Sequence, residues 1–268
     1  MTYEFIRYEK ADGAATITMN RPERLNALIT PMGMEMLDAL ADSEQDDEVR
    51  VVVLTGAGRG FCAGDDMKGD PTASASTPPR PTNIDPLSRY AYGPGRWVTI
   101  VRHMMHLPKP IVGVINGHAH GAGFNLALGC DLRIMSEAAT LCVPFVKWGM
   151  ATGTNRLHQF VGIGKALEWA LLGKTIMPVE AERWGLATMV VPADELEAAS
   201  AEFVGELARA PTQALAATKA AIYRGWGRDP DTAYEYQGLA QYLVRDTEDR
   251  SEGREAFREK RPPEFKGK

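Results

Sequence analysis

The sequence predicts an α/β fold. Short apolar runs typical of β-strands alternate with amphipathic helical patterns in the first part of the chain, and such alternation favours parallel strand pairing. The length of 268 residues is enough for one core with an appended element. The last part changes character and reads as four consecutive helices with Ala-rich faces. We therefore expect a core over residues 1–193 and a C-terminal helical region over residues 194–268.

Each element of that prediction follows from a local pattern. The predicted strands are, in chain order, EFIRYEK, AATITMN, VRVVVLTG, KPIVGVING, DLRIMSE and ATLCVPF. The stretch TPMGMEMLDALADSEQ predicts a helix that its first threonine caps, and GRWVTIVRHMMHL predicts a second helix that ends before Pro108. Residues 69–86, GDPTASASTPPRPTNIDP, are rich in Pro, Ser and Thr and predict a mobile loop.

Composition excludes several classes of protein. The formal net charge of −5 gives no basic footprint for nucleic acid. No apolar run approaches the length of a membrane span, and the charged N-terminus does not resemble a signal peptide. Cys62, Cys130 and Cys142 are widely spaced and odd in number, which predicts neither a metal site nor a disulfide framework. We expect a cytoplasmic protein without a bound metal.

Two predicted strands end on glycine-rich turns. The first is VVVLTGAGRGFCAGDD, residues 51–66, and the second is NGHAHGAG, residues 116–123. A dinucleotide-binding fingerprint fails in the first, because Phe61 occupies the place of the third glycine and no helix follows. A phosphate-binding P-loop fails too, because no GK[ST] is present. The glycines either serve the turns alone or let the backbone approach a ligand.

The second alternative has a specific chemistry. Two strand ends that present backbone N–H groups can converge on one oxygen and stabilise a developing negative charge, which is the geometry of an oxyanion hole. The helix that we expect to begin near Ala122 would add the positive end of its dipole. The two turns together therefore predict an oxyanion site.

Four segments, in order and spacing, resemble the crotonase (enoyl-CoA hydratase/isomerase) superfamily. They are FCAGDDMK, NGHAHGAGFNLALGCDLRI, PFVKWGMATGTNRL and AFREKRPPEF, and the resemblance runs from about residue 3 to the C-terminus. It implies a spiral of ββα turns with a C-terminal helical part that builds homotrimers or dimers of trimers. It also implies an acyl-CoA substrate, with coenzyme A bound as part of that substrate and no tightly bound cofactor.

The resemblance also implies site residues. The N–H groups of Asp65 and Ala122 would hold the thioester oxygen as it becomes an enolate. The residues that would contact coenzyme A are Ala63, Asp65, Asp66, Met67, Lys68, Ala122, Phe257 and Lys260, the last two often from a neighbouring subunit.

The chain departs from the family pattern where hydratases carry two glutamates. Asn125 stands at the first position and Phe145, after Pro144, at the second. Neither side chain exchanges a proton at neutral pH, so ordinary hydration of 2-enoyl-CoA is not expected. In other family members an acid follows the proline instead. Residues 145–155 contain none, and their polar side chains are Lys147, Thr152, Thr154 and Asn155.

The candidate side chains each have two interpretations. Asp65 is a base with a raised pKa if it is partly buried, or a solvent-facing or capping residue. Asp66 caps a helix or ties down the loop. His118 and His120 should share a face, with His120 near the acyl pocket. Asn125 binds substrate or water, or stabilises its own helix start.

Aromatic and apolar side chains near these segments leave the acyl group open. Phe145, Trp148, Met150 and Trp97 line an apolar pocket or belong to the core. Tyr90 and Tyr92 reach the acyl group or are ordinary loop residues. Lys147 is most simply a surface charge.

The predicted function is an enzyme that acts on an acyl-CoA thioester through an enolate, by double-bond isomerisation or by lyase-type addition or elimination. The alternatives are a catalytically silent acyl-CoA-binding protein and a CoA-thioester hydrolase of the same fold. A dinucleotide-dependent oxidoreductase is not expected, because the glycine pattern does not fit.

Overall fold

The computed structural model describes residues 2–68, 95–151, 154 and 156–268. The predicted loop over residues 69–86 lies outside them, as do Tyr90, Tyr92, Thr152 and Asn155. The strands are β1 (Ile6–Ala11), β2 (Ala14–Met19), β3 (Val51–Gly56), β4 (Gly60–Cys62), β5 (Ile111–Ile115), β6 (His118–His120), β7 (Leu132–Ser136), β8 (Thr140–Cys142), β9 (Thr175–Ile176) and β10 (Met189–Val191).

The α-helices follow the predicted order, with two that the sequence analysis did not identify, α4 and α5. They are α1 (Thr30–Gln45), α2 (Trp97–His106), α3 (Ala122–Gly129), α4 (Leu157–Leu172), α5 (Pro178–Arg183), α6 (Leu196–Arg209), α7 (Thr212–Gly225), α8 (Pro230–Leu243) and α9 (Glu248–Glu259). The four helices predicted for the last part of the chain are confirmed as α6 to α9.

Two sheets organise the first part of the chain. The larger has the order β1-β2-β3-β5-β7-β10 and the smaller has the order β4-β6-β8-β9. The chain visits them alternately: β3, β5 and β7 of the large sheet are each followed within a few residues by β4, β6 and β8 of the small sheet. Helices α3 and α4 then return the chain for the next turn. This strand–strand–helix repeat is the one that the resemblance implies.

Strand pairing is mostly parallel, as predicted, but β8 pairs antiparallel with β9, and β1 with β2. Asp12 and Gly13 connect them, and both have positive φ, at 51° and 77°. Two consecutive left-handed residues form the tight turn whose twist matches a β-hairpin, and Asp-Gly is a strong sequence signal for it. The general expectation of parallel pairing was wrong here, although the signal was present.

The predicted threonine cap of α1 is also wrong. Thr30 is already helical, the capping position falls on Ile29, and no side-chain cap bond forms there. Pro31 in the first turn explains how the helix begins without one, because its fixed φ suits that position and it has no N–H to satisfy.

The large sheet is covered on both faces. Val52, Leu54 and Ile111 point into the main core beside α1, whereas Val51 and Val53 point the other way. That second face is covered by Leu196, Val204 and Ala208 of α6. Helix α6 therefore packs as a layer of the core, although the predicted boundary at residue 193 assigns it to the C-terminal region. The domain boundary itself stays a prediction.

Helices α7 and α8 present large apolar side chains to the outside of the chain. Ile222, Trp226, Tyr234, Leu239, Tyr242 and Leu243 are all exposed. Helix α4 does the same with Ile163, Leu167, Leu171 and Leu172. In the part of the chain that the structure describes, no helix combines the length and the apolarity needed to cross a bilayer.

Candidate active site

The two predicted glycine turns lie against each other. Gly64, after β4, has a positive φ of 107°. A Cβ atom added to it would lie 3.0 Å from the carbonyl oxygen of His120 and 3.5 Å from the nitrogen of Ala122. A side chain here would therefore fill the space between the turns. The glycine is required both by its backbone conformation and by this close approach.

The second turn opens helix α3. Gly121 has φ 54° and Ala122 is the first helical residue, so its N–H is one of the four that a helix start leaves without an intrahelical acceptor. All eight residues of α3 are buried. A Cβ atom on Gly123 would overlap the carbonyl oxygen of Cys62. The start of α3 is thus packed directly onto the end of β4.

Asp65 lies in a short parallel bridge with Leu28. The N–H of Leu28 donates to the carbonyl of Gly64 (2.7 Å) and the N–H of Asp66 donates to the carbonyl of Leu28 (3.0 Å). Leu28 thus bonds to the residues on either side of Asp65, and in such a parallel bridge the main-chain groups of the residue between them face away from the partner strand. The N–H of Asp65 therefore points to the side opposite Leu28.

The side chain of Asp65 is exposed, which agrees with its solvent-facing interpretation and not with a partly buried carboxylate. The cause is alternation along the bridge, because Asp66 turns its side chain inward onto Arg21. Asp66 Oδ2 lies 3.0 Å from Arg21 Nη2. Burial alone would raise the pKa of Asp66, but hydrogen bonds from Arg21 and from the Lys68 N–H outweigh it and leave this pKa below its usual value. Asp66 thus ties down the loop, and Met67 and Lys68 beyond it are exposed.

Asn125 is buried one turn into α3. Its Nδ2 donates to the carbonyl of Gly121 at 3.1 Å, and the residue is 4% exposed. This bond is the predicted stabilisation of its own helix start. It also directs the amide oxygen away from Gly121.

His118 and His120 share a face, as predicted. Thr140 Oγ1 lies 2.8 Å from Nδ1 of His118 and 3.0 Å from Nε2 of His120, and the two ring centroids are 5.2 Å apart. Burial, and then the proximity of His118, lower the pKa of His120 to about 4. His120 is therefore neutral at physiological pH. The sequence analysis missed Thr140, which lies 20 residues away from His120 on the neighbouring strand.

The His120 ring makes stability depend on pH. Its folded-state pKa of about 4 lies below the ordinary value of 6.5, so protonation favours the unfolded chain. The neutral ring therefore stabilises the fold fully above pH 6.5, and this stabilisation is lost as the pH falls from 6.5 towards about 4. We expect the urea-unfolding free energy to fall less between pH 7 and pH 5 in His120→Gln than in the wild type. His118→Gln, the matched control, should retain most of the fall. Equal falls in wild type and His120→Gln would contradict this assignment.

The side chains considered for the acyl pocket lie in three different environments. Phe145 is half-buried, and its ring lies 3.8 Å from the position of a Cβ on Gly121, which places it against the second turn. Trp97 packs against the main core, as its alternative interpretation predicted. Trp148 and Met150 are exposed and do not belong to the core.

Lys147 and Thr154 have ordinary structural positions. Lys147 is exposed, with its methylene groups over Gly173, as predicted for a surface charge. Thr154 is buried. Residues 144–151, 154 and 156 include no Asp or Glu, so none of them brings an acid to the second turn.

Phe257 and Lys260 lie at the end of α9. Phe257 is 85% exposed, and Lys260 caps the helix with a positive φ of 56°. They are available to a ligand or to another subunit. Among the residues with described positions, no group of three His, Cys, Asp or Glu side chains could hold a metal ion.

Sequence reasoning also missed the groups that anchor the far end of α3. Arg133 Nη1 donates to the carbonyl of Cys130 (2.6 Å), and Arg156 Nη1 donates to that of Leu128 (2.6 Å). Both guanidinium groups lie near the ring of Phe160. Cations at a helix C-terminus satisfy its last carbonyls and its dipole. No local pattern connects these arginines with α3, so only the tertiary structure reveals them.

Comparison with known proteins finds one family across nearly the whole chain. The family model for enoyl-CoA hydratase/isomerase matches residues 9–268. The chain is 36% identical over 271 residues to 1,2-epoxyphenylacetyl-CoA isomerase of Escherichia coli K12, covering 99% of each chain. It is 35% identical over 266 residues to (E)-benzylidenesuccinyl-CoA hydratase of Thauera aromatica, covering 98% of this chain and 99% of that protein. The crystal structure of enoyl-CoA hydratase from Bacillus anthracis is similar, with a TM-score of 0.87 and 32% identity over 99% of this chain and 100% of that one.

Proposed function

Because the chain belongs to the enoyl-CoA hydratase/isomerase family, whose members act on CoA thioesters, we propose that it converts an acyl-CoA thioester through an enolate. The N–H groups of Asp65 and Ala122 bind the thioester oxygen. The reaction is a double-bond isomerisation or a lyase-type addition or elimination, rather than the hydration of a simple 2-enoyl-CoA.

The observation that carries this proposal is the contact between the two glycine turns. A Cβ on Gly64 would lie unusually close to the carbonyl oxygen of His120, at 3.0 Å, and Gly123 is packed on Cys62. The turns are therefore held together from separate strands. The bridge to Leu28 leaves the Asp65 N–H on the side away from Leu28, and the helix start leaves the Ala122 N–H without an intrahelical acceptor.

Such a pair of donors accelerates the reaction because charge moves during it. The oxygen of an enolate carries more negative charge than that of the thioester, so fixed donors bind the transition state more strongly than the substrate. One donor is worth about 2.7–4 kcal/mol in comparable sites. The buried start of α3 adds a positive partial charge at the same place.

The side-chain chemistry is a separate part of the proposal. Asp65 is the candidate base: its carboxylate takes the α-proton, and the electron pair of the C–H bond moves into the carbonyl, whose oxygen the two N–H groups hold. The proton returns at another carbon in an isomerisation, or a leaving group departs in an elimination. Neutral His120 and the amide of Asn125 are further candidates for contact with substrate, and Ala63, Asp66, Met67, Lys68, Phe257 and Lys260 for contact with coenzyme A.

The exposed apolar faces of α4, α7 and α8 support a homo-oligomer. Contiguous large apolar patches on a single chain mark interaction surfaces. We infer a trimer, or a dimer of trimers, in which a neighbouring subunit brings Phe257 and Lys260 to the coenzyme A groove. A cytoplasmic location stays a prediction from the sequence.

The test uses exchange of α-protons with deuterated water, because exchange requires the enolate but not the correct acyl group. Acetyl-CoA, 3-hexenoyl-CoA and phenylacetyl-CoA are incubated with the protein and analysed by mass spectrometry. We expect deuterium at the α-carbon of at least one of them. Asp65→Asn should slow the exchange by about 100-fold or more, the usual contribution of a general base. Absence of exchange in all three, with bound coenzyme A detected, would overturn the proposed enzyme.

That same outcome would favour the second candidate, a silent acyl-CoA-binding protein. The observation in its favour is the local chemistry: Asn125 is engaged with its own helix and Phe145 covers Gly121, at the two positions where hydratases of the family carry acids. It predicts tight binding of coenzyme A with neither exchange nor release of free thiol. Release of free thiol would instead identify a thioester hydrolase.

A further inference from the structure

Residues 21–28, called here the clamp segment, run beside the first glycine turn. The N–H of Ala63 donates to the carbonyl of Leu25 at 3.0 Å. Leu28 then bonds to the turn on both sides of Asp65, through the carbonyl of Gly64 and the N–H of Asp66. Three main-chain bonds thus bracket the residue that carries the proposed first donor. The position of that donor depends on where the clamp segment lies.

Asn26 fixes the middle of the clamp segment. It is fully buried and has a positive φ of 56°. Its Nδ2 donates to the carbonyls of Ala57 (2.9 Å) and Gly60 (2.7 Å), and its Oδ1 accepts from the N–H of Arg21 (2.9 Å). Ala57 directly follows β3, and Gly60 is the first residue of β4. One amide therefore joins the clamp segment to the strands that lead into the turn.

Arg21 closes the clamp from its other end. Its Nη2 lies 3.0 Å from Oδ2 of Asp66, and its Nη1 donates to the carbonyl of Ala27 at 2.5 Å. The two side chains are only 13% and 6% exposed. A charge-assisted bond at such a shielded site is stronger and more directional than a surface ion pair. It holds Asp66, the residue next to the proposed donor, against the clamp segment.

We propose that Arg21, Asn26 and Asp66 are positioning residues that set the direction of the Asp65 N–H. The inference rests on the proposed function, in which that N–H binds the thioester oxygen. Arg21 and Asn26 are not among the candidate contacts with the substrate, and the positioning role of Asp66 does not depend on its candidate contact with coenzyme A. All three act through the backbone of residues 63–66.

The geometry explains why this support would affect rate more than binding. A donor stabilises an oxyanion only within about 2.7–3.1 Å of it. A displacement of about 1 Å can lower a rate about 100-fold. Most of the candidate contacts with coenzyme A, those of Met67, Lys68, Phe257 and Lys260, lie outside residues 63–66. Loosening the clamp should therefore lower kcat and leave the affinity for coenzyme A nearly unchanged.

The test measures carbonyl polarisation directly. The probe is 4-(dimethylamino)cinnamoyl-CoA, a conjugated thioester whose absorption moves to longer wavelength when hydrogen bonds stabilise negative charge on its carbonyl oxygen. The variants are Asp66→Asn, which removes the charge without changing volume, and Arg21→Lys, which keeps the charge but not the forked geometry. The control is Glu168→Gln on α4, which breaks the ion pairs of Glu168 with Lys165 and Lys174.

We expect the wild type and Glu168→Gln to give the full shift. Asp66→Asn should lose at least half of it, and Arg21→Lys should lose less. Deuterium exchange should fall about 10- to 100-fold in Asp66→Asn and less in Arg21→Lys. The Kd for coenzyme A should change by less than about threefold in Arg21→Lys, which alters no candidate contact with coenzyme A.

Two failures are distinguishable. If the probe binds the wild type without a spectral shift, the oxyanion site itself is wrong. If the wild type shifts the probe and both folded variants shift it equally, the oxyanion site stands and the positioning role is wrong. Circular dichroism establishes which variants are folded. If Asp66→Asn does not fold, the result for Arg21→Lys alone tests the positioning role.

Discussion

Replacing Gly123 by alanine is expected to remove most of the activity. The added methyl group would overlap the carbonyl oxygen of Cys62, which is backbone and cannot rotate aside. The start of α3 would have to move away from the end of β4, and with it the N–H of Ala122. Overpacking of this kind costs about 1–3 kcal/mol of stability. In addition, the separation of the two donors should lower the rate of the reaction about 100-fold.

The measurement is α-proton exchange at saturating acyl-CoA, together with urea unfolding. Gly164→Ala is the matched control, because a Cβ at Gly164 in α4 would meet no atom within 4 Å. That control should keep full exchange and gain up to about 1 kcal/mol of stability, as expected when alanine replaces glycine in a helix. Full exchange in Gly123→Ala would show that the contact between the turns is not part of the catalytic geometry.

The contact at Gly123 also shows what the sequence could predict. Glycines after two apolar runs indicated turns with a close backbone approach, and the structure places those turns together. The six predicted strands and the four C-terminal helices were equally local signals, carried by periodicity within each segment. The short strands β4, β6, β9 and β10 were missed, because two or three residues show too little periodicity.

The supports of the candidate site could not be predicted in this way. Asn26 is separated by more than 30 residues from the carbonyls that it bonds, and Thr140 joins two histidines from the neighbouring strand. A polar residue in a turn has the same appearance in sequence whether it faces water or is buried with every partner satisfied. The sequence left both interpretations of Asp65 open for the same reason, because its exposure depends on Arg21 binding Asp66.

A second large effect is expected where α7 is joined to the core. Lys219 Nζ of α7 lies 2.8 Å from Oδ2 of Asp131, and donates to the carbonyls of Met104 (2.8 Å) and Lys109 (3.0 Å). Tyr223 donates to Oδ1 of the same carboxylate at 2.8 Å. The Lys219 and Asp131 side chains are 8% and 16% exposed. Asp131 follows α3 directly, so this network connects the C-terminal helices with the helix that begins at the second donor turn.

Lys219→Met is expected to lower the unfolding free energy by about 3–5 kcal/mol, the usual cost of leaving one partner of a buried ion pair uncompensated. The measurement is urea unfolding at pH 7. Lys174→Met is the matched control, because Lys174 pairs with Glu168 at 2.7 Å but is 47% exposed. That variant should be much less destabilised than Lys219→Met, because water screens an exposed ion pair.

The double variant Lys219→Met/Asp131→Asn separates the ion pair from simple loss of packing. Neutralising Asp131 removes the unpaired charge that Lys219→Met creates, so the double variant should be less destabilised than the sum of the two single variants by about 1 kcal/mol or more. If the effects simply add, the cost arises from lost contacts and not from charge. If Lys219→Met costs no more than Lys174→Met, α7 is held by its apolar face, and the network is not what connects the C-terminal helices to the second donor turn.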